Sequence, residues 1–415
     1  MVEAMEIQKG FKRTDIGLIP NDWDTFYITQ VIETTNGIKI GPFGSQLKKE
    51  LLTSSGYKVY GQENVYEKDM ELGNRYISKE HFKKLSSCEL KEGDFIISMM
   101  GTIGKCMMVP CKYEAGIMDS HLIRIRLNKS KIDSELLLHY FSSSILTNQV
   151  NKLSVGGIMD GLSSKIVKNI SVPLPPTKAE QTAIAEALND ADALIAELEK
   201  LIAKKKAIKQ GAMQELLKPK AGWEVKKLGE IANIRRGASP RPIKDPKWFS
   251  DRGRGWIRIS DVTSSSVYLN ATTQYLSEDG ARNSVAVDKG DLIMSICATI
   301  GVPIIINIPA CIHDGFVLFT NYEKVIDTFF LYFVLQAQTE ILTGKGQPGT
   351  QKNLNTTIVG NIEIAYPNIE KQQDIGLILR DIDIELSGLE KKLDKYKMLK
   401  QGMMQNLLTG RIRLI

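Results

Sequence analysis

Ten basic side chains fall between residues 226 and 258: Lys226, Lys227, Arg235, Arg236, Arg241, Lys244, Lys247, Arg252, Arg254 and Arg258. Only Glu230, Asp245 and Asp251 oppose them, so ten cations against three anions leave +7, more than the +6 of the whole chain. Gly237, Ser239, Pro240 and Pro242 mark the middle of this segment as a loop, and Trp248, Phe249 and Trp256 are interleaved with its charges. Basic loops of this kind suit a phosphate backbone, and the arginine fork matches the guanine edge in the major groove. The competing reading, a solvated basic surface over core tryptophans, is the commoner outcome for any one residue. The segment as a whole favours nucleic acid, with Arg235, Arg236, Ser239, Arg241, Lys244, Lys247, Arg252 and Arg254 as candidate contacts. Ser45, Gln46, Lys48 and Lys49, in a turn after Gly41, are the matching candidates near the N-terminus. Lys345, Gln347, Gln351 and Lys352 occupy a later Gly/Pro-containing loop, and a glycine-rich stretch at 156–165 could likewise reach DNA or merely close the fold.

Catalytic and metal motifs are missing from the sequence. The histidines His81, His121, His139 and His313 have no metal-pair spacing, so no metal site is expected. Gly101-Thr102-Ile103-Gly104-Lys105 resembles the tail of a phosphate-binding loop, but Met99 and Cys106 break the pattern. No GxGxxG follows a strand, no GxSxG elbow is present, and the Asn/Asp-Pro-Pro-Tyr tetrapeptide of amino-methyltransferases is missing. The chain is expected to be non-catalytic, with no cofactor of its own. Its five cysteines form no CxxC pair, which suits a reducing, cytoplasmic compartment. No apolar run reaches the roughly 18 residues of a spanning helix, so no membrane partner is expected.

These residues need elements to hold them, and the elements are duplicated. Residues 190–217 align with 381–408, and 14 of the 28 positions are identical, including Lys209-Gln210-Gly211 with Lys400-Gln401-Gly402. Upstream, Gly93-Asp94-Phe95-Ile96-Ile97-Ser98 is echoed by Gly290-Asp291-Leu292-Ile293-Met294-Ser295, and Trp23 and Trp223 open the two copies. At 415 residues, 43% hydrophobic and 25% charged, the chain divides into two copies of soluble-globular composition. The front part of each mixes short β-branched runs (94–98, 121–127, 291–295, 301–308) with one helical stretch, at 133–150 or 327–341, and reads as an α+β globule. The back part runs about 40 residues without proline and reads as one long helix. The expected divisions are a lead segment 1–22, a globule 23–176, a helix 177–218, a globule 219–368, a helix 369–409 and a tail 410–415.

Ile184, Leu188, Ala191, Ile195, Leu198, Ile202, Lys205, Lys209, Ala212 and Leu216 are spaced four and three apart, the seam of a coiled coil. Ile375, Leu379, Ile382, Leu386, Leu389, Leu393, Tyr396, Lys400, Met403 and Leu407 repeat it. A seam this narrow seeks a helical partner, and the other copy is at hand; the alternative is that each helix packs on its own globule. Each helix is acidic in its first half and basic in its second, so antiparallel pairing sets opposite charges against each other. At about 1.5 Å per residue the pair would form a rod of roughly 60 Å with one globule toward each end.

In this arrangement the chain resembles the specificity (S) subunit of type I restriction-modification systems, over essentially its full length. The resemblance rests on Gly10-Phe11-Lys12-Arg13-Thr14-Asp15-Ile16-Gly17-Leu18-Ile19-Pro20 with Trp23, on Pro173-Leu174-Pro175-Pro176 with Glu180-Gln181 and Ile184-Ala185, on Lys209-Gln210-Gly211-Ala212-Met213, and on Leu407-Leu408-Thr409-Gly410-Arg411. It departs at Pro367-Asn368-Ile369-Glu370, which replaces a proline run, and at Pro219, which stands where the second copy has Gly410. The resemblance implies two pseudo-symmetric target recognition domains, each reading half of a bipartite, asymmetric site in double-stranded DNA, and an antiparallel intramolecular coiled coil that fixes the gap. It further implies two methyltransferase (M) subunits bringing S-adenosylmethionine, and restriction/translocase (R) subunits bringing ATP and Mg. A two-headed protein-interaction scaffold with an incidental basic surface is the alternative.

Overall fold

The computed structural model describes residues 9–101, 104–153, 162–344 and 354–414. It divides into two compact units, residues 1–196 with 394–415, and residues 197–393. The boundaries fall inside the two long helices, Lys178–Leu216 and Ile369–Leu407, because the opening half of each helix packs beside the closing half of the other.

In the first unit, the strand Asp24–Tyr27 pairs antiparallel with Ser171–Leu174, so the segments entering and leaving the globule are stitched together. Between them lie two four-stranded sheets. One runs Ile38–Ile40, Leu122–Ile125, Phe95–Ser98, Cys106–Met108 in spatial order. The other runs Gly116–Met118, Tyr57–Tyr60, Tyr76–Ile77, Leu52–Thr53, with a parallel pair between the first two. Phe95–Ser98 and Leu122–Ile125 are buried at every position; the one charged side chain among them, Arg124, is accommodated by donating to the carbonyls of Ser87, Glu89 and Asn36. Trp23, Phe95, Phe141, Ile184, Leu188 and Leu407 share one core.

The helical stretch expected at 133–150 is two helices, Ser134–Phe141 and Ser144–Leu153. Asp133 starts the first by accepting the amides of Glu135 and Leu136. Ser142 and Ser143 end it, their hydroxyls donating to the carbonyls of Leu138 and Tyr140 and competing with the helical ladder. The counterpart in the second unit has no serine pair and runs unbroken as Thr328–Gly344.

The second unit repeats the plan. Glu224–Lys227 pairs with Glu363–Tyr366. One sheet runs Asn233–Arg236, Phe316–Thr320, Leu292–Ser295, Pro303–Ile306, and the other contains Ala310–Ile312 parallel to Arg254–Ile257, followed by Tyr275–Leu276 and Phe249–Ser250. Each sheet gains one strand here, Tyr268–Leu269 and Val285–Val287.

The globule-to-helix junction is wired identically in both units. Gln181 accepts the Asp133 amide on Oε1 and donates through Nε2 to the carbonyls of Lys131 and Pro175. Gln372 accepts the Asp327 amide and donates to Val325 and Pro367. Both amides are buried.

Helix pairing is antiparallel within each unit. In the first, Ile184, Ala185 and Leu188 share a core with Leu407 and Leu408, and Lys400 pairs with Asp192. In the second, Lys205 pairs with Glu385 at 2.7 Å, Lys209 with Asp383 at 2.6 Å and Lys206 with Glu390 at 2.8 Å. Ile184, Leu188, Leu198, Ile202, Ile375, Leu379 and Leu407 are buried, and Ile195, Leu216, Ile382, Leu386, Leu389, Leu393 and Met403 are half-buried. Every residue of the seam is thus shielded, while both helices face solvent elsewhere.

Candidate nucleic-acid interface

In each globule the first strand of one sheet is an edge strand, and the loop leaving it carries the candidate contacts. A glycine begins both loops because nothing larger fits. Gly41 donates to the carbonyl of Leu122 and Gly237 to that of Phe316. A Cβ at Gly41 would lie 1.8 Å from the Asp119 carbonyl oxygen, and one at Gly237 would lie 2.1 Å from that of His313. The loops 119–121 and 313–315 therefore occupy equivalent places, each pressed against the start of the basic loop. Their neighbours match as well: Met99 donates to the His121 carbonyl and Ile296 to that of Gly315, at 2.8 Å in both cases.

On the second globule, Arg235 and Arg236 are exposed at the end of the edge strand, and Ile234 just before them packs against the core. Arg236 Nε donates to the Asp314 carbonyl at 2.7 Å, the Ser239 hydroxyl to Asp314 Oδ1 at 2.6 Å, and Arg241 Nη2 to Asp314 Oδ2 at 3.3 Å. The Ser239 hydrogen bond is the main cause holding the Asp314 carboxyl below the usual aspartate value. Lys244 and Arg252 are exposed. Lys247 pairs with Asp245 at 3.1 Å and lies 4.4 Å over the Trp248 ring. Arg254 differs: its guanidinium pairs with Asp288 and donates to the carbonyls of Val287 and Ala310, so most of its fork is already occupied by the globule's own groups. Trp256 is fully buried in the core, whereas Trp248 is half-buried and donates to the Pro242 carbonyl. His313 packs between the rings of Trp256 and Phe316, and burial lowers its pKa.

On the first globule, Gln46 lies in the short helix Gly44–Leu47, and Lys48 and Lys49 follow it, all three exposed. The side chain of Ser45 lies outside the described residues, as do Lys345, Gln347, Gln351 and Lys352 and the glycines at 156–161. Phe43 projects into solvent at 58% exposure. A cavity of about 390 Å³ opens beside it, lined among others by Lys39, Pro42, Gln46, Lys84 and Lys168, which sets three further cations near Gln46. Arg75 donates to Asp119 Oδ2 through both Nη1 and Nη2 at 3.0 Å, and to Glu63 at 2.9 Å.

The basic pattern in the sequence does not mark Asp314, Asp119 or Arg75: two are acidic, Asp314 and Asp119 lie far along the chain from the glycines their loops press on, and Arg75 lies outside the basic segments. The repeat gives no signal for the two aspartates: the backbone bonds set Asp119-Ser120-His121-Leu122 against His313-Asp314-Gly315-Phe316, which share no residue and place the aspartates one position apart.

Each copy thus joins an α+β globule to a long helix and carries a basic loop at the same sheet edge, the architecture of a duplicated binding module. The chain belongs to the family of the type I restriction modification DNA specificity domain, whose model matches residues 20–210 and again 220–396. It is similar to the type I restriction enzyme MjaVIII specificity subunit of Methanocaldococcus jannaschii, 26% identical over 451 residues, covering 100% of this chain and 99% of that one. Its fold matches the crystal structure of the type-I restriction-modification system S subunit from M. genitalium, with a TM-score of 0.61, 15% identity and 97% and 98% of the two chains covered. A chain from a structural study of complex assembly and conformational transition of the type I R-M system gives a TM-score of 0.56 at 18% identity, covering 95% and 99%.

Proposed function

We propose that this chain is the DNA-specificity subunit of a type I restriction-modification complex, and that it supplies recognition while its partners supply chemistry. Each globule reads one half of a bipartite, asymmetric site in duplex DNA, and the two long helices set the gap. The observation that carries this reading is a framework repeated down to single hydrogen bonds, at Gly41 and Gly237 and at Gln181 and Gln372, bearing loop side chains that differ between copies. Two readers of one architecture and unlike chemistry suit a non-palindromic target.

The complex would contain two methyltransferase subunits with S-adenosylmethionine and restriction/translocase subunits with ATP and Mg, in the cytoplasm. The repeated helix faces suit two copies of one partner. No helix among the described residues is long and apolar enough to cross a membrane. The test is DNA binding by the chain in complex with its methyltransferase, using duplexes with randomised half-sites and gaps. Replacing residues 23–176 with the corresponding globule of a relative should change one half-site, and one heptad inserted into both helices at the same level should lengthen the gap. Binding without sequence preference would refute the proposal.

A further inference from the structure

Three donors from the basic loop of the second globule converge on one acidic residue more than 70 positions away in sequence. We propose that Asp314 positions a reading head in which Ser239 and Arg241, with Arg236 beside them, contact bases of the second half-site; this rests on the function proposed above.

The convergence has little value as a stabilising feature. The Arg241 and Asp314 side chains are 72% and 43% exposed, and an ion pair this open contributes almost nothing to folding. Its effect is on orientation. Arg241 is held through one nitrogen and Arg236 through Nε and a backbone carbonyl, and neither bond uses up the five donors of a guanidinium. A guanine edge needs two of those donors in a fixed plane, and an arginine free to swing would settle on the nearest phosphate instead. A carboxylate at the root of the loop repels phosphates and holds the fork away from them.

The matching loop of the first globule also carries an aspartate that holds an arginine, but one position away and with a partner from elsewhere: Asp119 stands opposite His313, and Arg75 precedes the strand Tyr76–Ile77 instead of following Gly41. The loop 119–121 presses on Gly41 as 313–315 presses on Gly237. Asp119 there grips Arg75, a third of whose side chain remains exposed. Matched backbone bonds, from Val59 to the Arg75 carbonyl and from Trp256 to that of Gln274, set Arg75 opposite Gln274. By the same matching His121 stands opposite Gly315, and counting on from the paired glycines sets Phe43 opposite Ser239. The framework repeats and the side chains on it do not, which is the pattern that two readers of unlike half-sites require.

The test uses the full chain assembled with its methyltransferase subunits and a duplex library randomised in each half-site. Arg241→Lys keeps the charge and loses the fork. Discrimination at one position of the second half-site should fall by about 5- to 150-fold, with the first half-site and the salt dependence of binding unchanged. Asp314→Asn should weaken the same position and leave the others alone, and the intact first half-site reports folding and assembly in the same sample. Unchanged discrimination in both variants would overturn the proposal. So would an equal loss at both half-sites in Arg241→Ala with a shallower salt dependence, the mark of a phosphate contact. A wild-type complex with no preference at either half would overturn the specificity reading itself, a result distinct from both.

Discussion

Replacing Lys209 with methionine should destabilise the chain far more than the same change at Lys400, although the repeat makes the two lysines equivalents. Each bridges to an aspartate of the other helix, Lys209 to Asp383 and Lys400 to Asp192. The two pairs differ in burial. Side-chain exposure is 17% for Lys209 and 8% for Asp383, but 18% for Lys400 and 47% for Asp192. Lys209→Met keeps the alkyl stem and leaves Asp383 buried without its cation, at a cost of about 3 kcal/mol, the lower end for breaking a buried pair because water still reaches the lysine. Lys400→Met leaves an aspartate that water can solvate, so its cost is about 0.5 kcal/mol. For a unit of this size the first change corresponds to a loss of about 6–12 °C in Tm. Scanning calorimetry of the full chain measures both.

The pH dependence provides a second reading of the same pair. Burial raises the Asp383 pKa above its ordinary value while Lys209 pulls it back, so removing Lys209 raises it further. A carboxyl whose folded pKa lies above its unfolded one costs stability as pH rises through that interval, and costs nothing once protonated. The deficit of Lys209→Met should therefore be largest at neutral pH and shrink as pH falls toward the aspartate range. Adding Asp383→Leu should recover most of it, since an apolar pair of similar volume needs no counter-charge. Equal losses at Lys209 and Lys400, or a deficit indifferent to pH, would refute the reasoning.

Gln372→Ala should strip the partners from the Asp327 amide and from the Val325 and Pro367 carbonyls, costing about 3 kcal/mol and speeding hydrogen exchange at the Asp327 amide; Gln181→Ala should do the same at Asp133. Gly237→Ala places a methyl 2.1 Å from the His313 carbonyl, so the backbone must move at a cost of about 1–3 kcal/mol. In DNA binding, Gly237→Ala should weaken the second half-site alone and Gly41→Ala the first alone.

The paired helices were legible in the chain because heptad spacing is a local pattern and the acid-to-base gradient admits one orientation. The shielded seam and the Lys209–Asp383 and Lys400–Asp192 pairs have that orientation in each unit. The globules were legible as α+β copies, but their sheet order was not, since it depends on pairings between segments such as Ile38–Ile40 and Leu122–Ile125 that are remote in sequence. In the basic segment, charge marked the right loop without ranking its members. Arg235 and Arg254 look alike in a composition count, yet one is exposed at a sheet edge and the other is clasped by Asp288 and two carbonyls.

By itself the sequence determined the duplication, the antiparallel helices and the place where positive charge gathers, because each is written in spacing and residue type along one stretch. Only the tertiary structure decided which arginines are presented and what holds them. Asp314 reaches Arg236, Ser239 and Arg241 only when the sheet sets the loop before Phe316 beside the loop after Arg236. Side-chain orientation at a surface depends on neighbours brought by the fold, and no local pattern records them.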